Sequence, residues 1–404
     1  MKVKIKKGLA SGRVDAPPSK SMAHRILICA GLSSGTSIVN GIAESEDILA
    51  TIDCLNALGA RCEKYGESIK VTGINFDEVK SDTVLKCRES GSTLRFFVPI
   101  CMMSGKSMSL TGSERLLQRP LGVYKDLCLE KGIQFMQEDG QVKVAGPLAP
   151  GTYRMAGNVS SQFVSGLLFA LPMLDGESKI ELITPVESRS YINMTIAVLK
   201  EFEVDVYWDG DNAIVIPGGQ TYKAKEVTVE GDYSNAAFLE SLNLFGGKVE
   251  VGNLNQESLQ GDKVYSEMFD ALSTDSAQLD LSDCPDLGPI LFAVSAALNG
   301  GRFTGTARLR IKESDRATVM AEELAKFGIN VIVGEDFVFV EPGSLSEPET
   351  LLYGHNDHRI VMSMAVLSTT TGGVIDGAEA VSKSFPDFFE KLTSLGIEVE
   401  TIEN

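Results

Sequence analysis

The chain has 404 residues, 43% of them hydrophobic and 23% charged, a composition that excludes an intrinsically disordered protein. Its net charge of −18 makes nucleic acid and anionic membranes poor partners, so an anion must be bound where the few cationic residues gather. No apolar run reaches the roughly 18 residues of a membrane span or forms a signal peptide, and seven scattered cysteines without a CxxC pair favour reduced thiols in a cytoplasmic protein.

Six segments repeat one pattern, in which an apolar helical run is followed by a small-residue turn and a short strand. They lie at 23–41, 92–112, 161–184, 235–252, 288–305 and 358–377. Second helices, each leading into a further strand, are predicted at 47–65, 122–136, 192–208, 317–333 and 388–400, with a degenerate helical copy at 264–272. The pattern predicts an α/β protein built from six βαβαββ units; the alternative is a chance alternation of strands and helices.

A chain of this length exceeds the roughly 250–300 residues of a single hydrophobic core, so we expect two domains of three units each. The predicted first domain is discontinuous, with residues 1–16 and 231–404, and the second domain spans 17–230. The first strand, Lys2 to Ile5, precedes the first unit and is expected to pair with the C-terminal half. The alternation from Gly396 to Glu400 predicts the closing strand.

The starts of the predicted first helices carry an unusual set of hydroxyl and cationic residues. Free N–H groups and a partial positive charge at a helix start favour an anion, and small residues let it approach the backbone. The cationic starts contain Lys20-Ser21 with Arg25, Gly91 with Arg95, and Arg359, and another start contains Ser160-Ser161-Gln162. Simple helix capping is the alternative for any single start, but the combination favours anion binding.

Two further cationic clusters stand outside these starts. Arg115 and Arg119 lie four residues apart before Pro120, and Lys312 to Arg316 interleaves both charge signs at the opening of a helix. His355 and His358 are three apart, but no third metal ligand is evident, so a metal site is not favoured. The chain has no GxxxxGK[ST] loop, no GxGxxG fingerprint and no GxSxG elbow.

Taken in order, these motifs resemble those of the 5-enolpyruvylshikimate-3-phosphate synthase family, from near residue 13 to near residue 390. The motifs are Ser19-Lys20-Ser21-x-x-x-Arg25, Gly91-Ser92-x-x-Arg95, Arg119-Pro120, Ser160-Ser161-Gln162, Lys312 to Arg316, Asp357-His358-Arg359 and Lys383 to Phe388. The resemblance implies two similar domains, each an inside-out α/β barrel of three βαβαββ units, which close over a cleft about hinges near 14–18 and 228–232.

The resemblance also implies the roles of individual residues. It assigns shikimate 3-phosphate to Lys20, Ser21, Arg25, Ser160, Ser161, Gln162, Ser188, Asp286 and Lys312, with Arg189 or Tyr191 assisting. It assigns phosphoenolpyruvate to Lys20, Gly91, Arg119, Gln162, Arg316, Arg359 and Lys383. Lys20, Asp286 and Glu313 are the implied catalytic residues: Asp286, or Lys20 in its neutral form, takes the 5-hydroxyl proton, and Glu313 protonates the methylene of the donor, with a pKa raised by closure.

The implied reaction needs no metal and no organic cofactor, its ligands are small anions, and a monomer is expected. A sister enolpyruvyl transferase acts on UDP-N-acetylglucosamine, but its Lys-Asn pair is replaced here by Lys20-Ser21, and residues 112–122 contain no cysteine. A non-catalytic phosphate-binding module is a second alternative, which the acid–base set disfavours. Glu89 and Arg308 depart from the usual family residues. Gly91 leaves room for a phosphonate mimic of the donor such as glyphosate.

Overall fold

The computed structural model describes residues 1–402. Its strands are β1 Lys2–Ile5, β2 Ser11–Asp15, β3 Thr36–Asn40, β4 Arg61–Tyr65, β5 Ser68–Thr72, β6 Thr83–Lys86, β7 Ser107–Thr111, β8 Gln134–Glu138, β9 Gln141–Ala145, β10 Thr152–Met155, β11 Ser178–Leu182, β12 Tyr207–Trp208, β13 Ala213–Ile216, β14 Glu226–Thr228, β15 Lys248–Gly252, β16 Ala277–Asp280, β17 Gly301–Thr304, β18 Val331–Val333, β19 Phe337–Val340, β20 Leu352–Tyr353, β21 Gly373–Asp376 and β22 Val399–Ile402.

The α-helices alternate with these strands, and short 3₁₀ turns occupy Pro285–Leu287 and Gly261–Val264 among other places. The helices are α1 Lys20–Leu32, α2 Glu46–Ala57, α3 Gly91–Met103, α4 Glu114–Gln118, α5 Gly122–Lys131, α6 Ser161–Ala170, α7 Arg189–Glu201, α8 Tyr233–Leu244, α9 Tyr265–Thr274, α10 Gly288–Ala297, α11 Arg316–Lys326, α12 His358–Thr371 and α13 Phe388–Ser394. Within residues 1–402, none of these helices has the length and apolar character needed to cross a bilayer.

The predicted βαβαββ repeat is found in three uninterrupted copies. In the copy β6-α3-β7-α5-β8-β9, the sheet order is β6-β7-β9-β8, with the first pair parallel and the others antiparallel. The copies that begin with β10 and β16 give the same order and the same directions. The parallel pair in each copy follows from the helical crossover that joins its two strands.

The other three copies borrow a strand from a distant part of the chain. β14 lies parallel to β3 and supplies the strand before α1, while β2 lies parallel to β15 and supplies the strand before α8. As predicted, β1 pairs with the C-terminal half, between β21 and β22. The α8 copy keeps only the two-stranded sheet, because α9 leads directly into β16 of the next copy.

The closing strand was predicted three residues too early. Gly396 has φ +89° and follows the end of α13, and the chain enters β22 only at Val399. The turn after α13 therefore uses residues that the sequence pattern assigned to the strand.

The chain forms two compact units. The discontinuous unit comprises residues 1–17 and 231–404, and the continuous unit comprises residues 18–230. Each has its own hydrophobic core, and the first helix of each copy is buried along almost its whole length. Three such helices, α8, α10 and α12, pack against one another in the discontinuous unit. A helix buried on all sides is apolar all round, which explains the long hydrophobic runs in the sequence.

Candidate active site

Capping accounts for the serine immediately before three helix starts in the continuous unit. The side chains of Ser19, Ser90 and Ser160 accept hydrogen bonds from the backbone N–H of Met22, Thr93 and Gln162, at 3.4, 3.2 and 3.3 Å. These bonds satisfy one of the free donors at each start and leave others available. These three hydroxyls, including that of Ser160, therefore cap their helices.

Lys20 and Arg25 are held firmly at the start of α1. The Nζ of Lys20 donates to Asp47 at 2.8 Å, an ion pair that favours the charged form of the lysine. Arg25 is buried and donates to Thr195 at 2.8 Å, to the carbonyl of Ser21 at 2.6 Å and to that of Tyr191 at 3.1 Å. Burial lowers the pKa of Arg25 to about 10, which still leaves the guanidinium charged near neutral pH.

A buried chain of hydroxyl groups connects α1 to the start of α3. His24 contacts Thr51 at 2.7 Å, Thr51 contacts Thr93 at 2.8 Å, and Thr93 donates to Ser90 at 2.8 Å. His24 is 1% exposed, and burial lowers its pKa well below the ordinary value, so the imidazole is neutral. This histidine therefore has a structural role.

Gln162 joins the starts of α3 and α6. Arg95 donates to the Gln162 side-chain oxygen at 2.6 Å, and the Gln162 amide donates to Ser92 at 2.8 Å. Arg95 also donates to the carbonyl of Pro120 at 3.3 Å, next to Arg119. The sequence indicated Arg95 in a motif but not this bridging role.

Gly91 and Arg119 are in close contact. A Cβ placed on Gly91 would lie 2.5 Å from Nη1 of Arg119, so only glycine allows this guanidinium to pack against the start of α3. The Arg119 side chain is buried, and its Nε has no hydrogen-bond partner among residues 1–402. A buried guanidinium nitrogen without a partner is costly unless an anion supplies the acceptor.

Ser161, Ser188 and Arg189 take different positions in the continuous unit. Ser161 is buried at the first position of α6, and Ser188 is buried before α7 with a left-handed φ of +54°. Arg189 lies with its guanidinium carbon 3.8 Å from the centre of the Trp208 ring and donates to the carbonyl of Asp211. Of the two residues that the resemblance implies as assisting at the phosphate, Arg189 thus packs on Trp208, while the carbonyl of Tyr191 accepts from Arg25.

Arg316 is the centre of the cluster in the discontinuous unit. Its side chain is 1% exposed and donates to Asp357 at 2.8 Å, to Asp286 at 2.9 Å and to Glu313 at 2.7 Å. Burial works against the charge, but the three carboxylates outweigh it and raise the pKa of Arg316. Asp357, which is fully buried, also accepts from Ser314 and caps α12 by accepting from the backbone of Arg359.

Arg359 connects the starts of the three inner helices. It donates to Ser234 on α8 at 2.5 Å, and to the carbonyl and side chain of Asp286, before α10, at 3.2 and 3.1 Å. The Nζ of Lys312 reaches Asp286 at 3.1 Å, and burial lowers the pKa of this lysine. Lys383 donates to the carbonyl of Asn356 at 2.6 Å. The structure thus brings together all the predicted residues of this unit: Asp286, Lys312, Glu313, Arg316, Arg359 and Lys383.

Sequence reasoning missed two acidic residues, one in each unit. Asp47 holds Lys20, and Asp262 is a buried carboxylate in the turn after Gln260. Burial and then the nearby Asp286 carboxylate raise the pKa of Asp262 from 3.8 to about 7. An isolated aspartate before a degenerate helix gives no local signal of burial, so the pattern could not identify it.

The structure also shows the contacts of the two histidines considered as metal ligands, and those of Arg88 and Arg308. His355 contacts Glu323 at 2.8 Å, His358 is buried, and no group of three or more potential metal ligands occurs among residues 1–402. Arg88 binds Asp53 and Glu46, and Arg308 donates to the carbonyl of Ser282. Both arginines are therefore engaged by residues of their own unit.

The fold and these clusters together define the class: an α/β protein with buried cations, suited to binding small, multiply charged anions. The family model described as EPSP synthase (3-phosphoshikimate 1-carboxyvinyltransferase) matches residues 5–392. The chain belongs to this family, and the predicted fold class and family are confirmed.

Similar proteins agree over nearly the full length. A 3-phosphoshikimate 1-carboxyvinyltransferase of Clostridium kluyveri is 40% identical over 96% of both chains, and one of Clostridium beijerinckii is 38% identical over 98% of this chain and 97% of its own. The solved structure of EPSP synthase from Acinetobacter baumannii is 25% identical, with a TM-score of 0.79 over 99% of this chain and 100% of its own.

The raised pKa of Asp262 predicts how stability depends on pH. Between pH 4 and 7 the folded chain binds a proton at Asp262 that the unfolded chain has released, so this group makes the free energy of unfolding fall as pH rises. Asp262→Asn removes that loss, and the variant should gain on the order of 2–4 kcal/mol relative to the wild type between pH 5 and 8.

Urea unfolding at pH 5, 6, 7 and 8 measures this difference, with the exposed Asp270→Asn as the matched control. Parallel pH curves for Asp262→Asn and the wild type would contradict the assignment.

Proposed function

We propose that the chain transfers the enolpyruvyl group of phosphoenolpyruvate to the 5-hydroxyl of shikimate 3-phosphate and releases inorganic phosphate. The chain belongs to the family of this enzyme, 3-phosphoshikimate 1-carboxyvinyltransferase (EC 2.5.1.19), whose reaction serves chorismate and aromatic amino-acid biosynthesis. One observation carries the mechanism: buried Arg316 and Arg359 and half-buried Lys312 all contact the Asp286 carboxylate directly. Binding needs the cations, while proton transfer needs the carboxylates.

Residues of the continuous unit are proposed to bind the phosphate of shikimate 3-phosphate. Lys20 supplies a point charge, Arg25 a guanidinium, and the starts of α1 and α6 their free N–H groups. The other proposed ligands are Ser21, Ser160, Ser161, Gln162 and Ser188. Asp286 and Lys312 of the discontinuous unit are proposed to bind the ring hydroxyls.

Phosphoenolpyruvate is proposed to bind Arg119 beside Gly91, together with Lys20, Gln162, Arg316, Arg359 and Lys383. A planar carboxylate suits a guanidinium fork, and a phosphate suits both guanidinium and ammonium groups. The partner-free Nε of buried Arg119 supports this role, since an anion would satisfy it.

In the addition step, the 5-oxygen of the acceptor bonds to C2 of the donor while C3 gains a proton. Asp286 is the better candidate to take the hydroxyl proton, because Lys312, Arg316 and Arg359 keep its carboxylate ionised. The Asp47 ion pair favours the ammonium form of Lys20, which cannot accept a proton. Lys20 is therefore proposed to act by its charge.

Glu313 is proposed to deliver the proton to C3 in the addition step. In the elimination step it takes a proton back from the resulting methyl group as the C2–O bond to phosphate breaks, and the departing phosphate takes the proton that Asp286 accepted. Glu313 enters the addition step as the protonated acid, a form that the negative charges of the bound substrates favour. Once its proton has passed to C3, the contact with Arg316 at 2.7 Å stabilises the carboxylate that the elimination requires.

Phosphate release distinguishes this function from its rivals. The purified chain is incubated with phosphoenolpyruvate and either shikimate 3-phosphate or UDP-N-acetylglucosamine, with no acceptor as the control. Release only with shikimate 3-phosphate is expected. Release only with the sugar nucleotide would assign the chain to the sister reaction, and binding without release from folded protein would favour a binding module.

The close approach of Gly91 to Arg119 gives a second prediction. In Gly91→Ala the new methyl group must displace the guanidinium, so the KM for phosphoenolpyruvate should rise about tenfold and glyphosate should inhibit less, while the KM for shikimate 3-phosphate changes by less than about twofold.

Gly122→Ala is the matched control, because a Cβ there meets no atom within 4 Å. Unchanged glyphosate sensitivity in Gly91→Ala would show that Arg119 does not hold the donor side.

A further inference from the structure

Glu323 is a buried carboxylate outside the residues proposed to contact substrate. Its side chain is 1% exposed, yet both of its oxygens are fully engaged. Lys326 donates to both oxygens at 2.8 Å, His355 contacts Oε1 at 2.8 Å, and the backbone N–H of Tyr353 donates to Oε2 at 3.0 Å. A carboxylate is buried in this way only when its surroundings satisfy it.

Two of the partners of Glu323, Tyr353 and His355, lie in one segment, Tyr353 to Asp357, which leads into α12. Lys326 extends the contact by donating to the carbonyl of Leu351, and its Nζ lies 4.5 Å from the centre of the Tyr353 ring. The Tyr353 ring in turn meets the His355 ring edge-on, with 6.4 Å between centres. Residues near the end of α11 therefore contact the beginning of this segment.

The start of α11 binds the end of the same segment. Arg316 binds Asp357, and seven residues later, two helical turns along, Glu323 binds His355. Residues seven apart lie on the same side of a helix, so one face of α11 holds the segment at two points.

Between these two points the backbone is strained. His355 and Asn356 have φ values of +49° and +53°. Residues other than glycine adopt this left-handed backbone conformation at a cost, which is lower for asparagine and histidine than for most. Two consecutive residues of this kind persist when surrounding contacts fix them. The strained pair presents the carbonyl of Asn356 to Lys383 at 2.6 Å and directs Asp357 towards Arg316.

We propose that Glu323 and His355 are positioning residues for the phosphoenolpyruvate side of the reaction. They act through the segment Tyr353 to Asp357 on Lys383, Arg316 and Arg359, and the inference rests on the function proposed above. If the His355 contact is lost, the left-handed pair relaxes and the carbonyl of Asn356 no longer holds Lys383. Misplacement of a binding group by about 1 Å is enough to weaken productive binding strongly.

The test compares His355→Ala, which removes the contact with Glu323, with His355→Gln, which keeps an N–H donor. Exposed Glu322→Gln on the same helix is the matched control. We expect His355→Ala to raise the KM for phosphoenolpyruvate about tenfold, with the KM for shikimate 3-phosphate and the kcat changed less than about threefold. His355→Gln should stay within about threefold of the wild type in all three quantities.

A merely structural role would not raise the KM for phosphoenolpyruvate while leaving the KM for shikimate 3-phosphate and the kcat nearly unchanged. Equal rises in both KM values, or identical behaviour of the alanine and glutamine variants, would overturn the proposal. His355 is 26% exposed, so its replacement leaves the core in place, and thermal unfolding checks that the variants are folded.

Hydrogen–deuterium exchange tests directly whether His355 holds the segment Tyr353 to Asp357, and it does not require turnover. Peptides that cover 353–359 should exchange about tenfold faster in His355→Ala than in the wild type or Glu322→Gln. Unchanged exchange would overturn the proposal. A wild-type chain that releases no phosphate would instead contradict the proposed function, and the exchange comparison would still report on the segment.

Discussion

The buried positive charge of Arg316 is the constraint on which the discontinuous unit depends. A guanidinium removed from water needs anions and hydrogen-bond acceptors in direct contact. They come from three separate elements: the cap of α12 at Asp357, the turn before α10 at Asp286, and the approach to α11 at Glu313. Satisfying one arginine therefore fixes the mutual positions of Asp286, Glu313 and Asp357, the first two of which are proposed to transfer protons.

The local placement of buried cations also explains how a protein with a net charge of −18 binds two anionic substrates. Its acidic residues lie largely on the surface, whereas Arg25, Arg119, Arg316 and Arg359 are buried. Arg316 and Arg359 lie in the first turns of α11 and α12, Arg25 lies in the second turn of α1, and Arg119 directly follows α4. The free N–H groups of a helix start add partial positive charge without adding net charge. Local arrangement, more than overall composition, creates the attraction.

The sequence predicted the repeated helices well because each first helix is apolar along its whole length and ends at a small-residue turn. It could not identify the borrowed strands, since β14 and β2 pair with β3 and β15 across long stretches of chain. The cations of the candidate site stood out because their motifs resemble those of a known family. Glu323 did not, because a glutamate near the end of an amphipathic helix has the pattern of a surface residue, and only tertiary packing buries it.

The left-handed pair at His355 and Asn356 was equally hidden. Asparagine and histidine enter the left-handed region more readily than most residues, but this modest preference does not by itself mark the turn that presents Asp357 to Arg316. The conformation is imposed by contacts from α11, which lie about thirty residues away in sequence. Sequence motifs thus indicated which groups take part, while the supporting contacts became visible only in the folded unit.

The central claim is that the cations bind the substrates while the carboxylates transfer protons. Glu313→Gln tests it most directly. The variant keeps a side chain of the same size but cannot exchange a proton with C3 of the donor. Phosphate release should fall by about two orders of magnitude or more, while calorimetry shows shikimate 3-phosphate bound within about threefold of the wild-type affinity. Turnover within about threefold of the wild type would contradict the account, because another group would then move the proton.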